Sequence, residues 1–461
     1  MTRYVLDRSA RPLDGGRALL AGSPLALFRL SERGAEVLNA LVAGDPLPKG
    51  AAQLTERLVD AGAVHPRPDE GPYRLDDVTV VIPVKDRSVC DLVADLAPLK
   101  HVIVVDDASS TPVAAPGARV LRRTSTGGPA AARNLGLAAV TTPIVAFIDA
   151  DCRPEPGWLE PLLRHFADDR VAAVAPRISS PAAPGAGVLA RYESVRSPLD
   201  LGLAEGRVRA GTRISYVPAA ALLVRADVLL ASGGFDEDLR WGEDVDLVWR
   251  LDETGFRVRY EPAGVVDHQP RPTWRAWMAQ RASYGRSAAD LAARHPGAAP
   301  PLAVSGWSAA VWALAAAGAP LAALATAGGT ALALSDKLEN LDQPVAEALR
   351  LTGTGHLFAG RMLASAVTRA WWPIVVALAL VSRRARRVLA AAAVLPALVD
   401  WVRQRPPLDP VRYVALRILD DAAYGVGLWQ GAIARRTADP LLPDLTSWPR
   451  PSRYDRRQPP P

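Results

Sequence analysis

Four short runs of this chain, VTVVIPV (78–84), HVIVVDD (101–107), IVAFIDA (144–150) and VAAVAP (171–176), are apolar almost without interruption and rich in Val and Ile. No other feature constrains the fold as much. A strand with one wet face alternates apolar and polar residues, whereas a strand covered on both faces reads as a continuous apolar run. Helix-like stretches at 88–99, 129–139 and 156–168 separate the runs. Strands alternating with helices predict an α/β fold around a mostly parallel sheet. Ligands of such sheets bind at the carboxyl ends of the strands. Polar residues gather there: Asp106 and Asp107 after one run, Asp149 and Asp151 after another.

The segment FIDADC (147–152) drives a buried strand into two carboxylates one residue apart. They repel, and neither is cheap to desolvate without a positive partner. Asp-X-Asp after a strand suits a divalent metal: its oxygens match Mg²⁺ or Mn²⁺, and the cation in turn binds a diphosphate. Alone, the same pattern also occurs as a solvated turn or a helix N-cap. Its company narrows the choice. TGGPAAARNLG (126–136) sets glycines ahead of a helix that carries Arg133 and Asn134. Glycines allow close backbone approach, and the arginine can face a phosphate. Asp107 is placed to accept the N3–H of a pyrimidine. In WGEDVDLVWRL (241–251) Glu243 and Asp244 open a helix, where the dipole favours carboxylates, and Asp246 reads as capping. His268 follows a strand in VVDHQP and is a candidate third metal ligand, although a lone histidine is more often structural.

The rest of the chain differs in character. Residues 1–70 read as a small winged-helix-like unit: short strands in YVLD and RALLAG around Asp14-Gly15-Gly16, a helix capped by Ser31 and stopped at Gly44, and a second helix ending at Gly62. Pro66, Pro68, Gly71 and Pro72 mark a linker. The 297–440 region reads as apolar, Ala-rich and helical. No Asp, Glu, Lys or Arg occurs from His295 to Ser335, and 302–334 is long enough to span a bilayer, though Pro320 lies inside it. Trp371 and Trp372 suit an interface, and Arg383, Arg384, Arg386 and Arg387 suit an anionic leaflet. The expectation is association with the cytoplasmic face of the cell membrane, the alternative a soluble helical domain. Residues 441–461, rich in Pro and Arg, read as disordered.

With 461 residues, 49% of them hydrophobic, the chain has material for two or three domains. Two cysteines, Cys90 and Cys152, are too few for a disulfide framework and fit a reducing cytoplasm. The first residues lack the apolar core of a signal peptide. A net charge of +6 suggests anionic partners. Nucleic acid is not the expected one, because residues 1–70 carry no basic run with base-reading side chains. A nucleotidyltransferase would share the sheet, the acids and the Mg²⁺ but would not need an acid at the later helix.

Taken together and in order, VIPVKDR (81–87), VVDDASS (104–110), GGPAAARNLG (127–136), FIDADC (147–152) and WGEDVDLVWRL (241–251) resemble the family-2 glycosyltransferases of GT-A fold, over roughly 77–290. The resemblance implies a Rossmann-like domain that binds a UDP-sugar, inverting chemistry, and a Mg²⁺ or Mn²⁺ cofactor. It implies that Pro83, Val84 and Asp107 hold the uridine and Arg133 the nucleotide sugar. Asp149 would contact ribose or metal, and Asp151 and His268 the metal. Asp244 would be the catalytic base, and Glu243 would orient the acceptor. The whole chain is similar to a narrower group, the glycosyltransferases of the mycofactocin system, through a PqqD-like N-terminal module and a Trp- and Ala-rich C-terminal part. That implies glucose transfer in β-1,4 linkage to a peptide-derived cofactor precursor, pre-mycofactocin. The alternative is a membrane-associated family-2 enzyme acting on a lipid-linked or polysaccharide acceptor. The Gln-X-X-Arg-Trp of processive synthases is replaced by QRASY (280–284), which argues against long-chain polymerisation.

Overall fold

The computed structural model describes residues 2–298 and 300–446. The chain divides into two compact units, one of residues 1–184 with 196–270, the other of residues 185–195 with 271–461. The boundary expected near 290 falls at 270, because one continuous helix, 274–294, belongs with the helices that follow it.

In the first unit, residues 2–68 form β1 (Thr2–Leu6), β2 (Arg11–Leu13), β3 (Ala18–Ala21), β4 (Ala26–Arg29), α1 (Glu32–Ala43), α2 (Ala52–Asp60) and β5 (Val64–Pro68). β1 pairs antiparallel with β5, and β2-β3-β4 make a separate antiparallel sheet. The Ser31 hydroxyl accepts the Gly34 N–H at 3.2 Å and starts α1; Gly44 ends it in the left-handed conformation. Leu19, Leu38, Leu58 and Val64 form a small core.

The following elements are β6 (Val78–Val84), α3 (Cys90–Asp95), β7 (His101–Asp106), β8 (Arg119–Arg122), α4 (Gly128–Leu137), β9 (Ile144–Ile148), β10 (Cys152–Pro154), α5 (Glu160–Leu163), β11 (Val171–Ser179), α6 (Val188–Arg196), β12 (Gly206–Val208), β13 (Ala221–Arg225), α7 (Ala226–Ala231), α8 (Glu243–Glu253) and β14 (Arg257–His268). Nine strands form one mixed sheet in the order β10-β14-β11-β13-β9-β6-β7-β8, with β12 on β14. The part β9-β6-β7-β8 is parallel throughout, as the apolar runs predict. β13 enters antiparallel between β9 and β11. The strand order turns back at β6, between β7 and β9, which opens the crevice where such sheets bind ligands. Val78, Val80, Ile82, Ile144, Ile148 and Val174 are fully buried, each contributing about 1.5–3 kcal/mol of transfer free energy. α4 lies so close to the sheet that a Cβ on Gly136 would collide with Val81.

The N-terminal segment is tied to this sheet by charge. Arg257 of β14, almost fully buried, pairs with Glu56 at 2.5 Å, Asp60 at 2.9 Å and Asp168 at 2.6 Å; Arg213 pairs with Asp7 at 3.0 Å.

The second unit takes α6 and continues with α9 (Trp274–Arg294), β15 (Ala303–Ser305), α10 (Gly306–Ala316), α11 (Pro320–Lys337), α12 (Pro344–Arg369), α13 (Trp372–Val381), α14 (Arg383–Gln404), α15 (Pro410–Arg435) and β16 (Asp444–Thr446). α9 and α15 cross at small residues: a Cβ on Gly285 would strike the Tyr424 carbonyl, and one on Gly427 the Ala282 carbonyl. The uncharged 302–334 stretch is not one span. It breaks at 317–319, ahead of Pro320, which has no N–H to continue a helix and so begins a new one. Among the described residues no single helix is long and apolar enough to cross a membrane; α12 and α13 pass that test only as a pair bent by 83°. The disorder expected from 441 onward does not extend over Asp444–Thr446, which pairs in parallel with β15; residues 447–461 lie outside the described residues.

Candidate active site

The sheet's carboxyl ends collect the residues that the sequence singles out. β9 delivers Asp149 and Asp151, α4 delivers Arg133, α8 delivers Glu243 and Asp244, and β14 ends on His268. Pro83 and Val84 close β6, and the Val84 carbonyl accepts the Asp107 N–H at 2.9 Å.

Arg133 is the centre of the arrangement. Its guanidinium is 3% exposed, donates Nη1 to Glu243 Oε1 at 2.7 Å and Nη2 to Asp149 Oδ1 at 2.7 Å. Two carboxylates from distant parts of the chain take the charge, and the side chain is sealed from solvent.

The two acids of α8 differ. Glu243 is buried and turned to Arg133. Burial and the neighbouring Asp244 push its carboxyl up to about 7 against the pull of Arg133. Asp244 is only partly covered. It accepts the N–H groups of Ala219 at 3.1 Å and Val245 at 2.8 Å. Desolvation raises its carboxyl above the ordinary range, opposed by Arg133 and those two N–H groups. Gly242, left-handed at φ 83°, turns the chain into the helix and brings both acids to its positive end. Asp246 pairs with Arg250 one turn on, at 2.8 Å.

Asp107 is a clasp. Its oxygens accept the N–H groups of Gly127 at 2.8 Å and Gly128 at 2.9 Å and the Thr126 hydroxyl at 2.8 Å, and Arg123 lies 3.0 Å away. Burial raises its carboxyl, but these hydrogen bonds win and hold it low. The carboxylate folds the glycine loop, because backbone donors converge on it.

Asp151 lies 3.7 Å from His268 Nε2 and 3.9 Å from Arg87. Among the described residues no group of three or more His, Cys, Asp or Glu is arranged to hold a metal. Asp149, expected to contact ribose or metal, is held through Oδ1 by Arg133. One carboxylate and one imidazole remain, a donor pair that fits a divalent cation completed by diphosphate oxygens. Arg87 and Asn134 are functional candidates that sequence reasoning did not assign a role. Arg87 bonds Gln269 beside Asp151, and Asn134 holds the loop before α8. The first was visible as a cation just past a strand end in VIPVKDR.

Comparison with known proteins places this geometry. Residues 79–221 match the model of Glycosyl transferase family 2. Pre-mycofactocin glycosyltransferase of Mycobacterium tuberculosis (strain ATCC 25618 / H37Rv) is 43% identical over 461 residues, covering 95% of this chain and 97% of that protein. Succinoglycan biosynthesis protein ExoU of Rhizobium meliloti (strain 1021) is 32% identical over 206 residues, 40% of this chain and 59% of that one. Among solved structures, mannosyltransferase PcManGT from Pyrobaculum calidifontis in complex with GDP-Man and Mn²⁺ matches 79% of this chain and 89% of its own, with 19% identity and a TM-score of 0.43. At 43% identity over nearly the full length of both proteins, the chain belongs to the pre-mycofactocin glycosyltransferases, within glycosyltransferase family 2 and on a GT-A fold.

Proposed function

We propose that this protein is an inverting, divalent-metal-dependent hexosyltransferase that moves glucose from UDP-glucose, in β-1,4 linkage, to the peptide-derived precursor pre-mycofactocin. The observation that carries the reading is a partly covered acid with a raised carboxyl, Asp244, in a chain 43% identical almost end to end to a pre-mycofactocin glycosyltransferase. In inverting transfer the acceptor hydroxyl attacks C1 of the sugar opposite the UDP, and the bond to UDP breaks as the new bond forms. Asp244 takes the hydroxyl proton; such help is worth about 10²–10⁴ in rate, and most when the base ionises near the working pH. Asp151 and His268 would hold a Mg²⁺ or Mn²⁺ ion, which supplies charge neutralisation at the departing diphosphate. Arg87 adds positive charge on the same side.

Residues 2–68 act in this reading as a PqqD-like selector of the acceptor. β2 and β4 are edge strands of their sheet, and an extended peptide can pair with such an edge. The deciding experiment is incubation with UDP-sugars, Mn²⁺ or Mg²⁺ and pre-mycofactocin, followed by mass spectrometry. Hexose additions with UDP-glucose that disappear with chelator are expected; none with any UDP-sugar would sink the reading.

A second reading, a membrane-associated enzyme with a lipid-linked or polysaccharide acceptor on the cytoplasmic leaflet, is favoured by one observation. Leu321, Leu357, Phe358, Leu380 and Val381 stand exposed on α11–α13, and Arg383, Arg384, Arg386 and Arg387 open α14. Apolar skin beside clustered arginines suits an anionic lipid surface. Co-flotation with anionic but not zwitterionic vesicles is the expected outcome, and recovery of all protein unbound would rule it out.

A further inference from the structure

Arg133 does more than neutralise charge. Its guanidinium carbon lies 5.3 Å from the centre of the Phe235 ring. The next residue, Asn134, grips the backbone of that phenylalanine from both sides: Asn134 Oδ1 accepts the Phe235 N–H at 2.9 Å, and Asn134 Nδ2 donates to the Phe235 carbonyl at 2.8 Å and to Glu237 at 2.9 Å. The Arg133 Nε has no acceptor, so every hydrogen bond of the group goes to the two acids. Asp149 directly follows β9 and Glu243 begins α8, 94 residues later in the chain. The guanidinium spans the gap between them.

We propose that Arg133 is a positioning residue for sugar transfer: one buried guanidinium sets the spacing between the strand end bearing Asp149 and the helix start bearing Glu243 and Asp244, and so aligns the base with the donor. The inference rests on the reading of Asp244 as base. Arginine suits the task and lysine does not. A planar fork presents parallel N–H groups to two carboxylates at once, whereas an ammonium is a point charge on a flexible stem. Alignment is a large term in transfer chemistry, and a displacement of about 1 Å can cost about 10²-fold in rate. The Asn134 grip on Phe235 extends the same control to the loop that leads into α8.

The test compares Arg133→Met, Arg133→Lys and Glu243→Gln in the full chain, with UDP-glucose and acceptor, following kcat, KM and melting temperature. Arg133→Met should lower kcat about 100-fold while KM for UDP-glucose changes less than about threefold, and Arg133→Lys should recover only about a tenth of the lost rate. A merely structural role would lower melting temperature and leave kcat of the folded fraction unchanged; a phosphate contact would raise KM. Either result overturns the proposal. Glu243→Gln takes the charge from one arm and keeps the Asp149 arm, so it stays informative if Arg133→Met does not fold. Its kcat should fall about tenfold, and Arg133→Lys with Glu243→Gln should lose less than the product of the two, because both break one link. Parent kcat in Glu243→Gln, or a fully multiplicative loss in the pair, also overturns it. Asp244→Asn is run beside them. Transfer retained there removes the base and the reading beneath this one; transfer lost there with Arg133→Met at parent kcat removes the Arg133 role alone.

Discussion

In the sheet unit the apolar side chains lie inside and acids and arginines meet at one end of the sheet, whereas the helical unit comes near to the reverse. Its interior holds ionic networks. Arg281 pairs with Glu193 and with Asp420, the latter at 3.0 Å, and Tyr192 donates to Asp420 at 2.9 Å. Arg369 meets Asp421 at 2.7 Å, and Arg417 meets it at 3.4 Å. Outside stand Leu321, Leu380 and Val381, each more than three-quarters exposed. A buried ion pair seldom adds much net stability, but it penalises every arrangement that would leave one charge alone. The sheet unit is therefore built on apolar burial, with one set of charges gathered at the candidate site and another tying residues 2–68 to β14. The helical unit uses its charges to choose one packing and leaves its apolar surface outside.

The sharpest way to break that contrast is at the catalytic end. Asp244→Asn should lower transfer by about 10²–10⁴ and keep UDP binding, since the amide preserves shape but cannot take a proton. Turnover within tenfold of the parent would show that Asp244 is not the base. In the helical unit the matching experiment reads stability. Asp420→Ala leaves Arg281 short of one partner in the interior and should cost about 3–5 kcal/mol in denaturant unfolding. A cost under about 1 kcal/mol would place its charges on a par with surface pairs.

The sheet's acids were legible because their strands were. β6, β7, β9 and β11 are covered on both faces and read as unbroken apolar runs. The first half of β14 was hidden, since Arg257, Arg259 and Glu261 interrupt it every second residue. Those charges are buried because partners come from elsewhere: Glu56 and Asp60 for Arg257, His165 for Glu261. The acid pair of α8 could be found from its place after Trp241 and Gly242. What no spacing rule reveals is that Asp149 and Glu243 would converge on one arginine, because that depends on tertiary placement. For the same reason the clasp that Asp107 makes on the glycine loop could not be read from spacing. The helical unit misled through composition: lack of charge suggested one span, and a single proline divides it.

Smaller effects sharpen the comparison further. Asp151→Ala should weaken UDP-glucose binding roughly tenfold with Mn²⁺ present and little with chelator. Equal weakening in calorimetry under both conditions would mean direct contact without a cation. Glu243 gives the smallest effect. Its carboxyl is raised to about 7 in the folded chain, so it favours folding when protonated, and that contribution is lost as pH rises from the ordinary carboxylate range through about 7. Glu243→Gln should accordingly raise the melting temperature by a few degrees at pH 8 and hardly at all at pH 5. A rise of equal size at both pH values would show that its ionisation carries no strain.

Helix α6 gives the molecule an order of construction. It is encoded between β11 and β12 of the sheet unit, yet it belongs to the helical unit, where Tyr192 and Glu193 meet Trp277, Arg281, Tyr413 and Asp420. During synthesis the chain emerges N-terminus first, so α6 leaves the ribosome before α9 and long before α15 exists to receive it. Until then its tyrosine and glutamate lack those partners, and α15 is what brings Tyr192 the Asp420 carboxylate that accepts its hydroxyl. A nascent chain halted at Pro270 would hold every strand of the sheet and still carry one helix of another structure.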